Sequence, residues 1–159
     1  MRLHLSRVAT AVITAGAVGG LAACSGDDEP SERTLRFTDR EGKMSTSVDA
    51  PPRTLAREEI TPGDQVVTTR HLLDGSGDRA GTAHEVCAIT DGRNEDATEA
   101  CQGVVELEDG RLSFSKTAKL SEPKPPPMPV TGGTGAYEGA TGTITAAGGT
   151  KLEIRLWIP

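Results

Sequence analysis

Residues 130–142 read Val-Thr-Gly-Gly-Thr-Gly-Ala-Tyr-Glu-Gly-Ala-Thr-Gly and hold five of the chain's 19 glycines: Gly132, Gly133, Gly135, Gly139 and Gly142. Glycine at this density reports on backbone: positive φ, tight turning and close approach of neighbouring chain. β-Branched Val130 leads in and Thr143-Ile144-Thr145 leads out, so the stretch joins two strands. A phosphate-cradling loop would need a helix after the glycines, with a Lys-Ser/Thr pair or a downstream acidic residue. Thr143-Ile144-Thr145 followed by Ala146-Ala147-Gly148-Gly149 cannot start that helix, so nucleotide binding is set aside in favour of a structural loop.

On either side of this loop the chain reads as strands. Residues 34–38 alternate, with Leu35 and Phe37 on one face, and residues 44–48 form a short strand. Residues 64–74 are rich in Val and Thr and close on Asp74-Gly-Ser-Gly-Asp78. Residues 81–90 and 100–108 make a hairpin, and an Asp-Gly turn at Glu108-Asp109-Gly110-Arg111 leads into residues 112–118. Residues 121–129 carry five of the 10 prolines, which predicts a stiff extended loop without ladder bonds. Residues 142–147 and 150–158 follow, turning at Gly148-Gly149. No segment keeps helical periodicity over three turns, so the fold class is all-β.

The hairpin registers place particular side chains together. Cys87 and Cys101 lie symmetrically about Asn94, so they face each other either as a cross-strand disulfide or as two buried free thiols. The same pairing sets Glu85 opposite Gly103. The Asp-Gly turn, read with Glu108 facing Arg111, sets Leu107 opposite Leu112, Val105 opposite Phe114 and Gly103 opposite Lys116. Glu85, Gly103 and Lys116 then form one row, with the outer two strands about 9–10 Å apart across an empty centre. That face is the more apolar one, hence the interior. Val105, Leu107, Leu112 and Phe114 are expected to line a ligand cavity there. Glu85 and Lys116 are the catalytic candidates, as an acid–base or ion pair in low dielectric. A slip of one residue would instead turn them outward into a surface salt bridge. The last strand puts Leu152, Ile154, Leu156 and Ile158 in the core. Trp157 is left among charges outside, as an isolated exposed aromatic or a subunit contact.

The glycine stretch resembles the Gly-Gly-Thr-Gly-x-Tyr-x-Gly-Ala signature of the allene oxide cyclase barrel-like and dirigent-like family. Thr61-Pro-Gly-Asp64-Gln65 and Gly81-Thr-Ala-His84-Glu-Val-Cys87 resemble it as well, and the likeness spans residues 35–158. It implies a calycin-like, eight-stranded antiparallel β-barrel with a central cavity, associating as a homodimer or homotrimer. It also implies that Tyr137 packs over the glycine turn. Plant dirigent proteins usually have an arginine in an Ala-Arg-Gly triplet where this chain has Ala140-Thr141-Gly142, which separates it from their radical-guiding activity.

The N-terminus supplies an address. Arg2 and Arg7 precede a short apolar run ending Leu21-Ala22-Ala23-Cys24, which resembles a bacterial lipobox. Such a chain is cut before Cys24, whose sulfur is diacylated; the alternative is an ordinary secretory signal with a chance cysteine. The expected organisation is a signal peptide at 1–23, a flexible tether at 24–33 and the barrel domain at 34–159. The protein is then exported and lipid-anchored to the outer face of the bacterial cell membrane.

Removal of 23 residues from 159 leaves 136, one domain's worth, with 15 basic and 23 acidic residues and a net charge of −8. With no basic cluster and only one Trp, one Tyr and two Phe, the chain has neither the charge nor the stacking platforms for nucleic acid. His71 and His84 lack cysteine or carboxylate partners at ligand spacing, so neither metal nor cofactor is expected. Three readings follow. The preferred one is a barrel that binds a small hydrophobic molecule; the alternatives are a cyclase or isomerase acting on one, and an envelope protein filled by its own side chains.

Overall fold

The structure is a computed structural model that describes residues 30–39, 44–48, 59–124, 126–147 and 150–159. The signal region, Cys24, most of the tether and the Gly148-Gly149 turn lie outside these residues. Nine strands follow in order: β1 Ser31–Asp39, β2 Met44–Val48, β3 Gln65–Leu73, β4 Arg79–Asp91, β5 Thr98–Leu107, β6 Gly110–Lys119, β7 Met128–Gly135, β8 Thr141–Ala147 and β9 Lys151–Ile158. A 3₁₀ turn, Asn94–Asp96, joins β4 to β5, the only helical turn among the described residues.

Every pairing is antiparallel, and strands β3 to β9 form a continuous meander. β1 pairs with β9 from Ser31↔Ile158 to Thr38↔Lys151, then reaches β3 through Thr38↔Leu73 and Asp39↔Leu72. That contact closes an eight-stranded barrel. β2 pairs with the other half of the same β3 edge, Gln65 to Thr69. β1 starts three residues before the expected boundary at 34, because the ladder with β9 extends through Arg33, Glu32 and Ser31.

The core follows from the period-2 alternation of these strands. Val105, Leu112, Ile144, Ile154 and Leu156 are fully buried, and Phe37, Leu72, Phe114, Met128 and Val130 complete the cluster. Trp157 is 51% exposed on the outer face.

The glycine stretch is half strand and half turn. Gly132, Gly133 and Gly135 lie in β7, paired with Ser113, Leu112 and Gly110 of β6; the chain then turns through residues 136–139 into β8. Gly135 takes φ +65°, and a Cβ there would meet the Asp109 carbonyl oxygen. A Cβ on Gly133 would strike the carbonyl of Tyr137, which folds back across it. This packing drives Tyr137 into the closed end of the barrel, where only 2% of it is exposed. Burial pushes its phenol above the ordinary value of 10.0, partly offset by Arg33, whose guanidinium stands 5.6 Å from the ring centre.

Two sequence expectations need correction. The β5–β6 turn centres on Glu108-Asp109, with Leu107 opposite Gly110, so the register moves by two residues: Val105 faces Leu112 and Gly103 faces Phe114. Gly110 belongs to the strand because a Cβ there would clash with the Thr134 carbonyl of β7. A shift of two keeps every side chain on its expected face. The proline run ends earlier than expected, since Met128 and Pro129 already pair with Ile144 and Thr143 of β8. Proline is tolerated there because the β6–β7 ladder stops at Phe114↔Val130, leaving β7 without β6 beside it.

Cys87 and Cys101 form a disulfide between directly paired residues, with Cα atoms 4.0 Å apart and 14 positions of sequence between them. Closing so short a loop stabilises by about 3 kcal/mol. Replacing both cysteines by serine is expected to lower the thermal midpoint by roughly 10 °C while leaving the far-ultraviolet β signature intact. Calorimetry and circular dichroism check both outcomes.

Candidate functional site

The barrel interior divides into an apolar closed end and a polar open end. Register explains the division. Inward residues form successive rows: Arg70, Ala83, Val105 and Leu112; then Thr68, Glu85, Gly103 and Phe114; then Val66, Cys87, Cys101 and Lys116. Members of all three rows border a cavity of about 100 Å³, while Leu112 packs outside it. Its apolar walls include Leu72, Val105, Phe114, Met128 and Ile144; its polar lining includes Asp39, Thr68, Arg70, Glu85 and Lys116.

Lys116 is not in Glu85's row, as the first turn reading had it, but one pleat further along, opposite Cys101. The two still meet on the diagonal, with Lys116 Nζ 3.7 Å from Glu85 Oε1. Gly103 is what leaves room. A Cβ there would overlap the Phe114 ring, so glycine lets Phe114 lie across β5. Lys116 is held more closely by Glu99, 3.2 Å away, a residue that sequence reasoning missed. Side-chain exposures of 12% for Lys116, 18% for Glu85 and 20% for Glu99 place the trio inside the wall rather than on the surface. Two carboxylates around one ammonium leave one negative charge uncompensated when all three are ionised. Glu85 Oε1 is buried and has no hydrogen-bond partner.

A second pair was also missed. Asp39, at the end of β1, stands 3.9 Å from Arg70 Nη1 of β3, and its Oδ1 is likewise buried without a partner. Both residues sit where β1 closes on β3, a contact between positions 31 apart in sequence that no local pattern reveals. Glu99 carried a weak signal, since it faces inward with Cys101 on β5.

The other expected site residues are placed as follows. Val105 and Phe114 line the cavity, Leu112 lies in the packed floor, and Leu107 flanks that core half-buried. His84 faces outward, with Nδ1 3.1 Å from Thr69 Oγ1 and Nε2 3.9 Å from Glu106. Glu85, Cys87 and Cys101 bring one donor atom each within 4.8 Å of one another. The disulfide engages both sulfurs, so this trio offers a metal one carboxylate and no thiolate.

The sequence matches the allene oxide cyclase barrel like domain over residues 43–153. The chain belongs to that family. Among curated proteins none matches the sequence. Solved structures of the same barrel include pyocyanin demethylase, 21% identical, with a TM-score of 0.62 over 79% of this chain and 99% of that one. The Diels Alderase AbmU from Streptomyces koyangensis is 17% identical, with a TM-score of 0.60 over 84% and 71%. A pterocarpan synthase dirigent protein is 16% identical, with a TM-score of 0.57 over 82% and 89%. At these identities the likeness is one of fold.

Lys116→Met removes the cation that, among the described residues, pairs with Glu85 and Glu99. It is expected to destabilise the barrel by roughly 3 kcal/mol through uncompensated, partly buried carboxylates. Adding Glu85→Gln and Glu99→Gln to the same chain should recover most of that loss. Urea unfolding of the single and triple variants measures both.

Proposed function

We propose that the barrel binds a small, largely apolar organic molecule at its open end and rearranges it there as a cyclase or isomerase. The observation that carries this reading is the Glu85 carboxylate, which borders the cavity with a buried Oε1 that has no hydrogen-bond partner, Lys116 Nζ standing 3.7 Å away. A carboxylate oxygen left without a donor costs free energy in the empty protein, and a bound O–H or N–H, or an acidic C–H, supplies what it lacks. Lys116 holds the charge in place, while the walls from Val105 to Ile144 fix the shape of the reacting chain and keep water out. Such confinement suits an intramolecular bond rearrangement, in which one acid–base group moves a proton and the barrel supplies the conformation.

Family membership supports this reading, and so do the barrel neighbours, whose names include a Diels Alderase and a pterocarpan synthase. A cavity filled only by its own side chains fits poorly with two carboxylates whose buried oxygens lack partners. The binding step alone remains the alternative, and mass separates the two. Isomerisation changes a molecule's chromatographic retention without changing its mass. Native mass spectrometry of the soluble domain, incubated with a lipophilic extract of its own cells, is expected to capture a ligand that emerges with altered retention and equal mass. Glu85→Gln should retain binding within a few-fold and slow conversion by about 100-fold or more. Conversion at the wild-type rate in that variant would remove Glu85 from the chemistry.

The same proposal places the barrel outside the cell, tethered through lipid on Cys24, and Leu21-Ala22-Ala23-Cys24 is what supports it. Radiolabelled fatty acid should enter the wild-type protein and keep it in the membrane fraction. Cys24→Ala should carry no label and appear in the soluble fraction.

A further inference from the structure

The barrel wall is incomplete on one side. The β6–β7 ladder ends at Phe114↔Val130, yet β6 continues for five residues, Ser115 to Lys119, with β5 as its ladder partner. What faces this length of β6 is Pro126 and Pro127, leading to Pro129. Proline has no N–H to donate, so the chain cannot continue the β7 ladder along β6. A groove of about 770 Å³ opens beside the gap, mostly over the outer face of β4, β5 and β6. Its walls are Val86, Ala88, Ala100, Gln102, Ser115, Thr117 and the prolines, with Lys116 the only charged group among them. Lys116 and Pro126 border both this groove and the barrel cavity, so the two spaces adjoin there.

We propose that the groove is a second subsite, taking the uncharged, extended tail of a ligand whose reactive head lies in the barrel beside Glu85. The inference rests on the cavity being the ligand site. Volume argues for it. A cavity of roughly 150 Å³ suffices for benzene, and pockets for drug-sized ligands run to ~300–1,000 Å³. The interior, at about 100 Å³, is smaller than either and takes at most one small ring. The rest of any larger molecule must lie outside. Among the described residues three spaces share wall residues with the cavity, of which the groove is the roomiest, at about 770 Å³ against about 570 and 400 Å³. Its chemistry selects the tail: short aliphatic walls and neutral hydroxyl and amide groups suit a hydrocarbon-like chain with few or no charges. Lys116 stands at the junction as the specificity-determining residue, with its aliphatic stem against the passing chain and its ammonium held back by Glu99 and Glu85.

Phenol and 4-octylphenol are the probes, since the hydroxyl of each can donate to Glu85 Oε1 and the second adds a tail. Titration calorimetry on the wild-type soluble domain is expected to show 4-octylphenol binding at least tenfold tighter than phenol. Ala100→Trp fills the groove and Ala100→Glu charges it, and neither touches the cavity. Both should cut the octylphenol affinity by tenfold or more and leave phenol within twofold. If one variant fails to fold, the other reads the same quantity, and Thr117→Glu on the neighbouring strand is a third. Equal affinity of the wild type for the two phenols, or undiminished octylphenol binding in the folded groove variants, overturns the groove subsite and leaves the cavity reading standing. Failure of both phenols to bind the wild type overturns the two together.

Discussion

Two residue pairs close this barrel. β1 is held along its length by β9, but its contact with β3 is confined to Thr38↔Leu73 and Asp39↔Leu72. An antiparallel sheet with free edges exposes a row of unpaired peptide groups; a closed one does not. Closure also creates the site, because Asp39 reaches Arg70 only when β1 arrives beside β3. The remaining edge of β3 is taken by β2, so the strand that could not be covered by β1 alone is paired along nearly all its length.

Charge inside the open end is expensive in stability and pointless without use. Burying Glu85, Glu99, Arg70, Asp39 and Lys116 costs desolvation that their mutual attraction barely offsets, and apolar side chains of like volume would be at least as stable. The closed end shows what a stability-driven solution looks like: Tyr137, Leu112 and Leu156, packed and uncharged, with one neutral phenol among them. One fold can host unrelated activities, so an activity is argued from particular residues rather than from the scaffold.

Glycine and proline divide the labour of shaping the wall. Gly133 and Gly135 let β7 approach β6 and turn back on itself, so the wall is tight at the Tyr137 end. Prolines at 126, 127 and 129 deny the same two strands their ladder at the other end, and the wall opens. One pair of strands is thus closed at one end and parted at the other by backbone chemistry alone.

Much of this was legible in the sequence. The two-residue period of strands sorted interior from exterior, and the symmetric cysteines set the β4–β5 register, so Glu85 could be placed opposite Gly103 by counting. Counting failed at the β5–β6 turn, where Asp109-Gly110 offered a good local hairpin. The real turn lies one residue earlier, because Gly110 is needed for contact with β7, a strand the local sequence does not see. Fold class and side-chain facing belong to the sequence by itself, since each depends on alternation and turn chemistry within a few residues. Only the tertiary structure decided the Asp39–Arg70 pair, the capture of Lys116 by Glu99 and the gap beside Pro126. These depend on where distant strands end relative to one another once the sheet has curled shut.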